Sequence, residues 1–259
     1  MSERRLYLNL GNTTVHWGVR DAKGWVAEGR VLVTRVEQTL GELAGVLEEQ
    51  GPAGEAPEPI PVVTSRGDVE EWCEAAVQTI GRTLAVMGRD FGGEIRTEYR
   101  DPARLGQDRV ANVIGARSEE LYPCLILDAG TCLTADVLDE EGVHQGGAIA
   151  AGGPALLMGI LAAAPHLQAS VEEEAEPEEG QPWGLTTEEG ISLGWVEGLT
   201  GIAQALIDRY WEMTDGEGDV ILTGGDAEVL DDRLEESAMV RPMLALDGLR
   251  VAWEGRSSG

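Results

Sequence analysis

Two glycine-containing segments, one in each half of the chain, have the residue types of a phosphate-binding turn. The first reads Asn9-Leu-Gly-Asn-Thr13 and the second reads Asp128-Ala-Gly-Thr131. Glycine lets the backbone approach a phosphate closely, and neighbouring N–H and hydroxyl groups donate hydrogen bonds to its oxygens. One such turn is weak evidence, but two turns that each follow Asn or Asp at the same offset indicate a nucleotide site. The run Leu222-Thr-Gly-Gly-Asp226 adds a third compatible glycine turn.

The segment Gly106-Gln-Asp-Arg109 places a carboxylate beside a guanidinium where a helix is expected to begin. An aspartate there can accept the proton of an attacking hydroxyl, and an arginine can hold a carboxylate through two hydrogen bonds. The alternative interpretation of Asp108 is an N-cap that only closes the helix end. Two further residues stay ambiguous. Asp136 fits a solvated strand-edge residue or a site residue, and His16 fits a phosphate contact or a structural histidine.

Other nucleotide and metal signatures are missing from the sequence. It contains neither GxxxxGK[ST] nor GxGxxG, which argues against a P-loop enzyme and a dinucleotide fold. Its three cysteines lack CxxC spacing and its three histidines are scattered. The sequence therefore predicts neither a disulfide framework nor a zinc site.

Short apolar segments alternate with segments of helical spacing, which predicts an α/β fold with mixed sheets. Strands are predicted at 5–10, 14–20, 25–34, 60–64, 83–87, 124–129 and 219–225, with helices at 37–50, 68–81, 106–121 and 186–211. A further helix is expected from Asp226, and one strand and one helix over 239–256. The Pro-rich and Glu-rich segments 51–59 and 168–182 are predicted to be loops.

An internal repeat carries the domain prediction. Residues 8–19 (LNLGNTTVHWGV) resemble residues 127–138 (LDAGTCLTADVL), and an Asp-x-x-Gly turn follows both. Each half therefore begins with strand, polar turn, strand, turn and strand, which predicts two similar domains at 1–118 and 119–259. The alternative is chance similarity between glycine-rich hairpins.

The charge balance excludes several partners. The 259 residues contain 47 acidic and 19 basic side chains, a net charge of −28. Binding to nucleic acid or to an anionic membrane needs a basic face, so neither partner is expected. All basic residues but Lys23 are arginine. This bias favours either a protein adapted to high salt or a GC-rich genome.

No segment predicts secretion or membrane insertion. The N-terminal residues lack the long apolar core of a signal peptide. The uncharged run 146–165 contains Gly146, Gly147, Gly152, Gly153 and Pro154, which predict a strand, a turn and a short helix rather than a spanning helix. We expect a cytoplasmic protein.

Six motifs, in order along nearly the whole chain, resemble those of type III pantothenate kinases. They are Asn9–Thr13, Tyr99–Arg109 (YRDPARLGQDR), Asp128–Asp136 (DAGTCLTAD), Gly146-Gly147 with Ile149, Gly184–Thr187 and Thr223–Gly225. The resemblance implies the acetate and sugar kinase/actin superfamily. Its architecture is actin-like and duplicated, with two ribonuclease H-like domains that have mixed sheets.

The resemblance also implies an activity and a set of site residues. Family members transfer the γ-phosphate of ATP to pantothenate, the first step towards coenzyme A, as cytoplasmic homodimers that use K⁺ or NH₄⁺ besides Mg²⁺ with ATP. Asp108 would be the proton acceptor and Asp128 the monovalent-cation ligand. The ATP-binding positions would be Asn9, Leu10, Gly11, Asn12, Thr13, Thr14, Val15, His16 and Thr131. The pantothenate-binding positions would be Tyr99, Gly106, Gln107, Asp108, Arg109 and Thr187.

Three positions depart from the family pattern. Asn9 stands where the family has Asp, which removes a charge that helps to position Mg²⁺. Ala151 replaces a proline, and Cys132 replaces a small alanine. The loss at Asn9 leaves a second hypothesis open, a catalytically weakened paralogue that acts as a ligand-binding or regulatory protein. A third hypothesis is a kinase for another small hydroxy acid.

Overall fold

The computed structural model describes residues 4–50, 58–172, 175 and 181–256. Its strands are β1 (Arg5–Leu10), β2 (Thr14–Asp21), β3 (Gly24–Leu32), β4 (Ile60–Thr64), β5 (Leu84–Val86), β6 (Cys124–Ala129), β7 (Cys132–Leu138), β8 (His144–Ala151), β9 (Asp219–Gly224) and β10 (Met239–Val240). Its α-helices are α1 (Val36–Gln50), α2 (Val69–Ile80), α3 (Gln107–Ser118), α4 (Gly153–Ala163), α5 (Gln168–Glu172), α6 (Thr187–Thr214), α7 (Ala227–Asp231) and α8 (Leu244–Glu254). Short 3-10 helices span Pro102–Arg104 and Pro165–Leu167.

The predicted elements agree with these bounds to within a few residues, because apolar spacing marks each buried face. The segment predicted as a loop over 168–182 begins instead with the helix α5. The rest of that segment, apart from 175 and 181–182, lies outside the described residues. So does most of the loop predicted at 51–59.

The first unit comprises Met1–Tyr122, Glu140–His144 and Met243–Gly259. Its sheet has the order β3-β2-β1-β4-β5, in which β1 is antiparallel to β2 and parallel to β4. Side chains alternate between the two faces of a strand. Leu6, Leu8 and Leu10 therefore pack on one face with α1 and α2. Tyr7 lies on the other face, in a core with residues of α3 and α8.

The second unit comprises Pro123–Asp139 and Gln145–Pro242. Its sheet has the order β10-β9-β6-β7-β8, with β6 antiparallel to β7 and parallel to β9. Both sheets therefore place the first strand of the unit between an antiparallel hairpin partner and a parallel strand. This shared order confirms the duplicated α/β architecture that the internal repeat predicts.

The helix α6 supplies much of the core of the second unit. Leu199, Ala203 and Ile207 are buried against strands of the sheet. By length and composition alone α6 is apolar enough to cross a membrane, but the core helix of a soluble protein passes the same test. It is therefore weak evidence of a membrane span.

The two units divide the chain differently from the boundary at 118/119. The helix α8 belongs to the first unit, where Leu246, Leu249 and Trp253 share a core with Val110 and Ala111 of α3. The apolar side chains of α8 cover the face of the first sheet that α1 and α2 leave open. The second unit is therefore not one continuous segment, unlike the domain predicted at 119–259.

Candidate active site

The turn between β1 and β2 is held by its own backbone. The hairpin closes with the pair Leu10 and Val15, and the N–H of Gly11 donates to the carbonyl of Thr14 at 3.0 Å. A Cβ atom on residue 11 would lie 2.7 Å from that carbonyl oxygen. Only glycine fits this position without a shift of the turn.

The residues predicted to bind ATP around this turn differ in what they can offer. Leu10 and Val15 are buried in the apolar core, so only their backbone can contact a ligand. Asn12 is exposed at the tip of the turn. Asn9 and His16 pair across the hairpin. His16 is buried and hydrogen-bonds Glu28 through Nε2 at 2.9 Å, which supports its structural interpretation.

Burial lowers the pKa of His16 below its usual value, although the hydrogen bond to Glu28 opposes this shift. Desolvation disfavours the charged imidazolium, because the buried ring cannot be hydrated. His16 therefore lies beside the first turn as a neutral side chain near neutral pH.

The chain that follows β4 contacts the first turn directly. Leu10 pairs with Thr64 in the parallel ladder, and the Thr64 hydroxyl donates to the Leu10 carbonyl at 2.8 Å. Arg66 Nη1 donates to the carbonyls of Gly11 at 2.9 Å and Asn12 at 3.2 Å. Sequence reasoning missed Arg66, because no local motif marks it. Its position just after a buried strand was the available signal.

Asp108 lies in the first turn of α3, where two hydrogen bonds fix one of its oxygens. The hydroxyl of Ser65 donates to Oδ1 at 2.7 Å, and the backbone N–H of Arg109 donates to it at 2.8 Å. The N-cap of α3 is Gly106, so the interpretation of Asp108 as an N-cap is wrong. Because the helix begins after Gly106, Asp108 is its second residue and lies within the first turn.

Arg109 and Tyr99 lie together in the first unit. The guanidinium carbon of Arg109 is 5.8 Å from the centre of the Tyr99 ring, within reach of a cation–π contact. The Thr97 hydroxyl accepts from the Tyr99 N–H at 3.0 Å and hydrogen-bonds Nδ1 of His144 at 2.8 Å. His144 is fully buried, and sequence reasoning did not associate it with Tyr99.

Gln107 lines a cavity of about 460 Å³ in the first unit. Phe91, Ile95, Leu105 and Val110 form apolar parts of its wall. Residues three apart share a helix face, so Gln107 lies with Val110 rather than with Asp108. The structure thus brings Tyr99 and Arg109 together, whereas Gln107 lies on another side of α3.

The second unit has a similar turn between β6 and β7, one residue shorter, in which a glycine N–H again closes the hairpin. The pair Ala129 and Leu133 closes the hairpin, and the N–H of Gly130 donates to the carbonyl of Cys132 at 3.1 Å. The carbonyl of Thr131 accepts from the N–H of Gly152 at 3.2 Å. Thr131 therefore lies in a turn fixed on both sides.

Asp128 lies one residue before the end of β6, beside the glycine turn of β9. It pairs with Thr223 in the parallel ladder. Gly224 has a φ of +95°, and a Cβ atom there would lie 2.6 Å from Asp128 Oδ1 and from the Ala129 carbonyl oxygen. The carboxyl ends of β6 and β9 thus bring Asp128 and the Gly224 turn together.

Two other sequence candidates lie in the second unit. Thr187 is the exposed first residue of α6, after the N-cap Thr186, whose hydroxyl accepts from the N–H of Glu189 at 3.2 Å. Asp136 is 1% exposed in β7, which lies between β6 and β8. Its interpretation as a solvated strand-edge residue is therefore wrong.

The donor set fits a cation that is shared with a phosphate. Among the described residues, no group of three or more His, Cys, Asp or Glu side chains could hold a metal by itself. Mg²⁺ at phosphate sites is typically held by one or two carboxylates together with substrate oxygens and water. Asp128 offers one carboxylate beside the Gly224 turn, so a cation there would need phosphate oxygens or water as its other ligands.

The chain matches a known protein family. The family model for type III pantothenate kinase matches residues 5–209. The chain belongs to the type III pantothenate kinase family. It is 30% identical over 249 residues to a type III pantothenate kinase of Azotobacter vinelandii, covering 95% of this chain and 96% of that one. It is 34% identical over 198 residues to one of Porphyromonas gingivalis, covering 73% and 76%.

Solved structures extend this family assignment to the fold. A ROK family glucokinase from Streptomyces griseus, in complex with glucose and AMPPNP, superposes with a TM-score of 0.54 at 13% identity. The match covers 97% of this chain and 100% of that chain. The family member described here therefore has an actin-like duplicated fold, with two ribonuclease H-like units and mixed sheets.

Proposed function

We propose that this protein transfers the γ-phosphoryl group of ATP to the hydroxyl of pantothenate, giving 4'-phosphopantothenate in the first step of coenzyme A biosynthesis. Family membership supports the substrate. The observation that carries the proposal is the connection after β4. There Ser65 contacts the carboxylate of Asp108, and the adjacent Arg66 contacts the Gly11 turn. One short segment thus fixes both a base and a phosphate-binding turn.

Asp108 acts as the general base. Its Oδ1 accepts hydrogen bonds from Ser65 and from the N–H of Arg109, so the carboxylate is held in one orientation. It takes the proton of the acceptor hydroxyl as that oxygen bonds to the γ-phosphorus. The bond from phosphorus to the bridging oxygen breaks, and ADP leaves. Catalysis of this kind depends mainly on positioning and on charge stabilisation.

The two turns hold the phosphates. Residues 9–16 supply the first turn, in which backbone N–H groups and the side chains of Asn12 and Thr13 contact ATP. Thr131 supplies the second through its hydroxyl and backbone. Hydrogen bonds from such groups neutralise phosphate charge without a lysine.

Pantothenate binds through the start of α3 and the residues around it. Arg109 holds the substrate carboxylate, and the Tyr99 ring packs beside the Arg109 guanidinium. Gly106, the N-cap of α3, is a further proposed contact, whereas Gln107 faces the cavity on another side of α3. Thr187 stays a predicted substrate-binding residue. A guanidinium suits a carboxylate because it can donate two parallel hydrogen bonds.

Asp128 holds the monovalent cation, K⁺ or NH₄⁺, and Mg²⁺ accompanies ATP. A carboxylate near a triphosphate is repelled unless a cation lies between the two anions. When bound, the cations neutralise phosphate charge. Asp128 contributes a fixed oxygen at the end of β6, beside the Gly224 turn.

The protein acts as a cytoplasmic homodimer. The helix α4 is apolar, yet only Gly153 within it is buried. Met158 of α4 and Ile149 of the edge strand β8 are exposed by 51% and 64%. Large exposed apolar surfaces favour protein contacts. We expect Met158→Glu to shift the mass measured by light scattering from dimer to monomer, whereas Val77→Glu, at an exposed position of α2, leaves the dimer intact.

The activity is tested by mass spectrometry of the products. Purified protein with ATP, Mg²⁺, K⁺ and pantothenate should yield ADP and phosphopantothenate in equal amounts, and neither without pantothenate. Transfer to a different hydroxy acid only would favour the third hypothesis. Binding of both substrates without any product would favour the regulatory paralogue.

A further inference from the structure

The Arg66 guanidinium contacts four groups in the first unit. Nη1 donates to the carbonyls of Gly11 and Asn12. Nε and Nη2 donate to the two oxygens of Asp68 at 2.7 and 2.5 Å. Its planar head also lies over the buried ring of Trp72, 5.4 Å from the ring centre. A guanidinium held on four sides has little freedom to move.

These contacts orient the peptide planes of the turn. In a planar trans peptide, the carbonyl of one residue points opposite to the N–H of the next. Because the carbonyls of Gly11 and Asn12 point at Arg66, the N–H groups of Asn12 and Thr13 point to the opposite side of the turn. Two successive N–H groups with one direction form an anion-binding concavity.

We propose that Arg66 is a positioning residue for ATP, which sets the direction of the turn N–H groups without contacting the nucleotide. The inference rests on the proposed function, because it assigns the first turn to the phosphates of ATP. Arg66 is fitted to this task and lysine is not. An ammonium is a compact charge that cannot bridge two carbonyls and a carboxylate with fixed geometry.

The support of Asp68 makes this orientation rigid. The hydrogen bond from Arg66 is the largest cause that lowers the pKa of Asp68 below its usual value. Asp68 therefore stays ionised at the pH of any kinase assay, and its two oxygens hold the guanidinium plane in place. Asp68 directly precedes α2, so the Arg66–Asp68 pair is attached to a packed helix.

The test compares Arg66→Met, Arg66→Lys and Asp68→Asn with wild type. Binding of a nonhydrolysable ATP analogue is measured by calorimetry, alongside steady-state kinetics and thermal unfolding. We expect Arg66→Met to weaken analogue binding by about tenfold or more, the scale of one charge-assisted hydrogen bond. The KM for ATP should rise in parallel, and the KM for pantothenate should stay within about twofold. Arg66→Lys should resemble Arg66→Met, and Asp68→Asn should show a smaller loss of the same kind.

Arg250→Met is the matched control. Arg250 forms an ion pair with Glu254 on α8 and has no contact with the turn in the described structure. The Arg250→Met variant should lower the unfolding temperature without changing analogue binding. If Arg66→Met lowers only the unfolding temperature, Arg66 is merely structural and the inference fails.

Two further outcomes would also overturn it. If Arg66→Lys binds the analogue as tightly as wild type does, charge alone suffices and geometry is irrelevant. If Arg66→Met does not fold, unchanged analogue binding in both Arg66→Lys and Asp68→Asn decides against the inference. A wild-type protein that binds the analogue but makes no phosphopantothenate would refute the proposed function instead, and calorimetry would still test Arg66.

Discussion

The two glycine turns share a backbone design but differ in charge. Before the first turn stands a neutral amide, Asn9, and before the second stands a carboxylate, Asp128. The first is braced from outside by Arg66, whereas the Gly224 turn packs beside the second. Duplication has thus kept the hydrogen-bonded hairpin and allowed the charges around it to diverge.

This difference implies a division of labour. The first unit holds Asp108, which we propose as the base, and a turn whose carbonyls contact the Arg66 guanidinium. The second holds the carboxylate that we assign to the cation. Cation dependence should therefore follow changes in the second turn, and proton transfer should follow changes in the first unit.

The largest effect is expected for Asp108→Asn. An amide cannot accept the proton of the hydroxyl, so turnover should fall by about 10²–10⁴-fold. Binding of an ATP analogue should be nearly unchanged, because the proposed base would contact the acceptor hydroxyl and not the nucleotide. Asp232→Asn, at an exposed position after α7, is the control that should keep wild-type turnover. Wild-type turnover in Asp108→Asn would remove this residue as the base.

Asp128→Asn should abolish the stimulation of activity by K⁺. Wild type should be clearly more active in K⁺ or NH₄⁺ than in Na⁺ alone, since a selective site holds the cation between two anions. Without the carboxylate, rates in the two salts should converge, as measured by direct product detection. Equal wild-type rates in Na⁺ and K⁺ would contradict the assignment of Asp128.

Asn9→Asp would place a carboxylate before both turns. A carboxylate holds hydrated Mg²⁺ better than an amide does, so activity should saturate at several-fold lower Mg²⁺. Titration of Mg²⁺ at fixed ATP measures the change. The dependence on K⁺ should stay the same, because it belongs to the other turn. An inactive wild type that Asn9→Asp fails to rescue would favour the regulatory hypothesis.

A smaller effect distinguishes the turns by pH. His16 pairs with Asn9, whereas the uncharged Thr134 pairs with Asp128, so the cross-strand partner at the first turn is a histidine. The folded-state pKa of His16 is lowered by burial, which means that the unfolded chain binds the proton more readily. Stability should therefore decline as pH falls below about 6.5 towards the folded pKa. His16→Gln should lose about 1–2 °C less than wild type between pH 7 and 5.5, and parallel curves would contradict this.

The least specific effect is expected for the dependence of the unfolding temperature on salt concentration. A net charge of −28 repels itself, and the Debye length falls from about 10 Å at 0.1 M to about 3 Å at 1 M salt. The unfolding temperature should rise by several degrees in either KCl or NaCl, unlike the K⁺-specific effect on activity. A flat or falling unfolding temperature would count against adaptation to high salt.

Most of the fold follows from local patterns in the sequence. Leu6, Leu8 and Leu10 recur at every second position, as one buried face of a strand requires, and the repeat around Asn9 and Asp128 predicts the duplication. Apolar spacing and turn residues act over a few positions, so a single sequence records them.

The site was predictable only where a motif is contiguous. Asp108 and the two turns stand in short runs, whereas Arg66 reaches Gly11 only because β4 pairs with β1 across 54 positions of sequence. His144 reaches Thr97 through a similarly remote contact. Whether Asp108 or Gly106 caps α3 depends on backbone angles that composition does not specify.

The position of α8 in the first unit has a consequence for biosynthesis. Tyr7 and Val63 belong to a core that is completed by Leu246 and Leu249. While the ribosome is still translating the second unit, the nascent chain carries that sheet face with α3 but without α8. The first half therefore cannot reach its final stability until the last helix has emerged, and in the interval its exposed apolar strands are natural clients for chaperones.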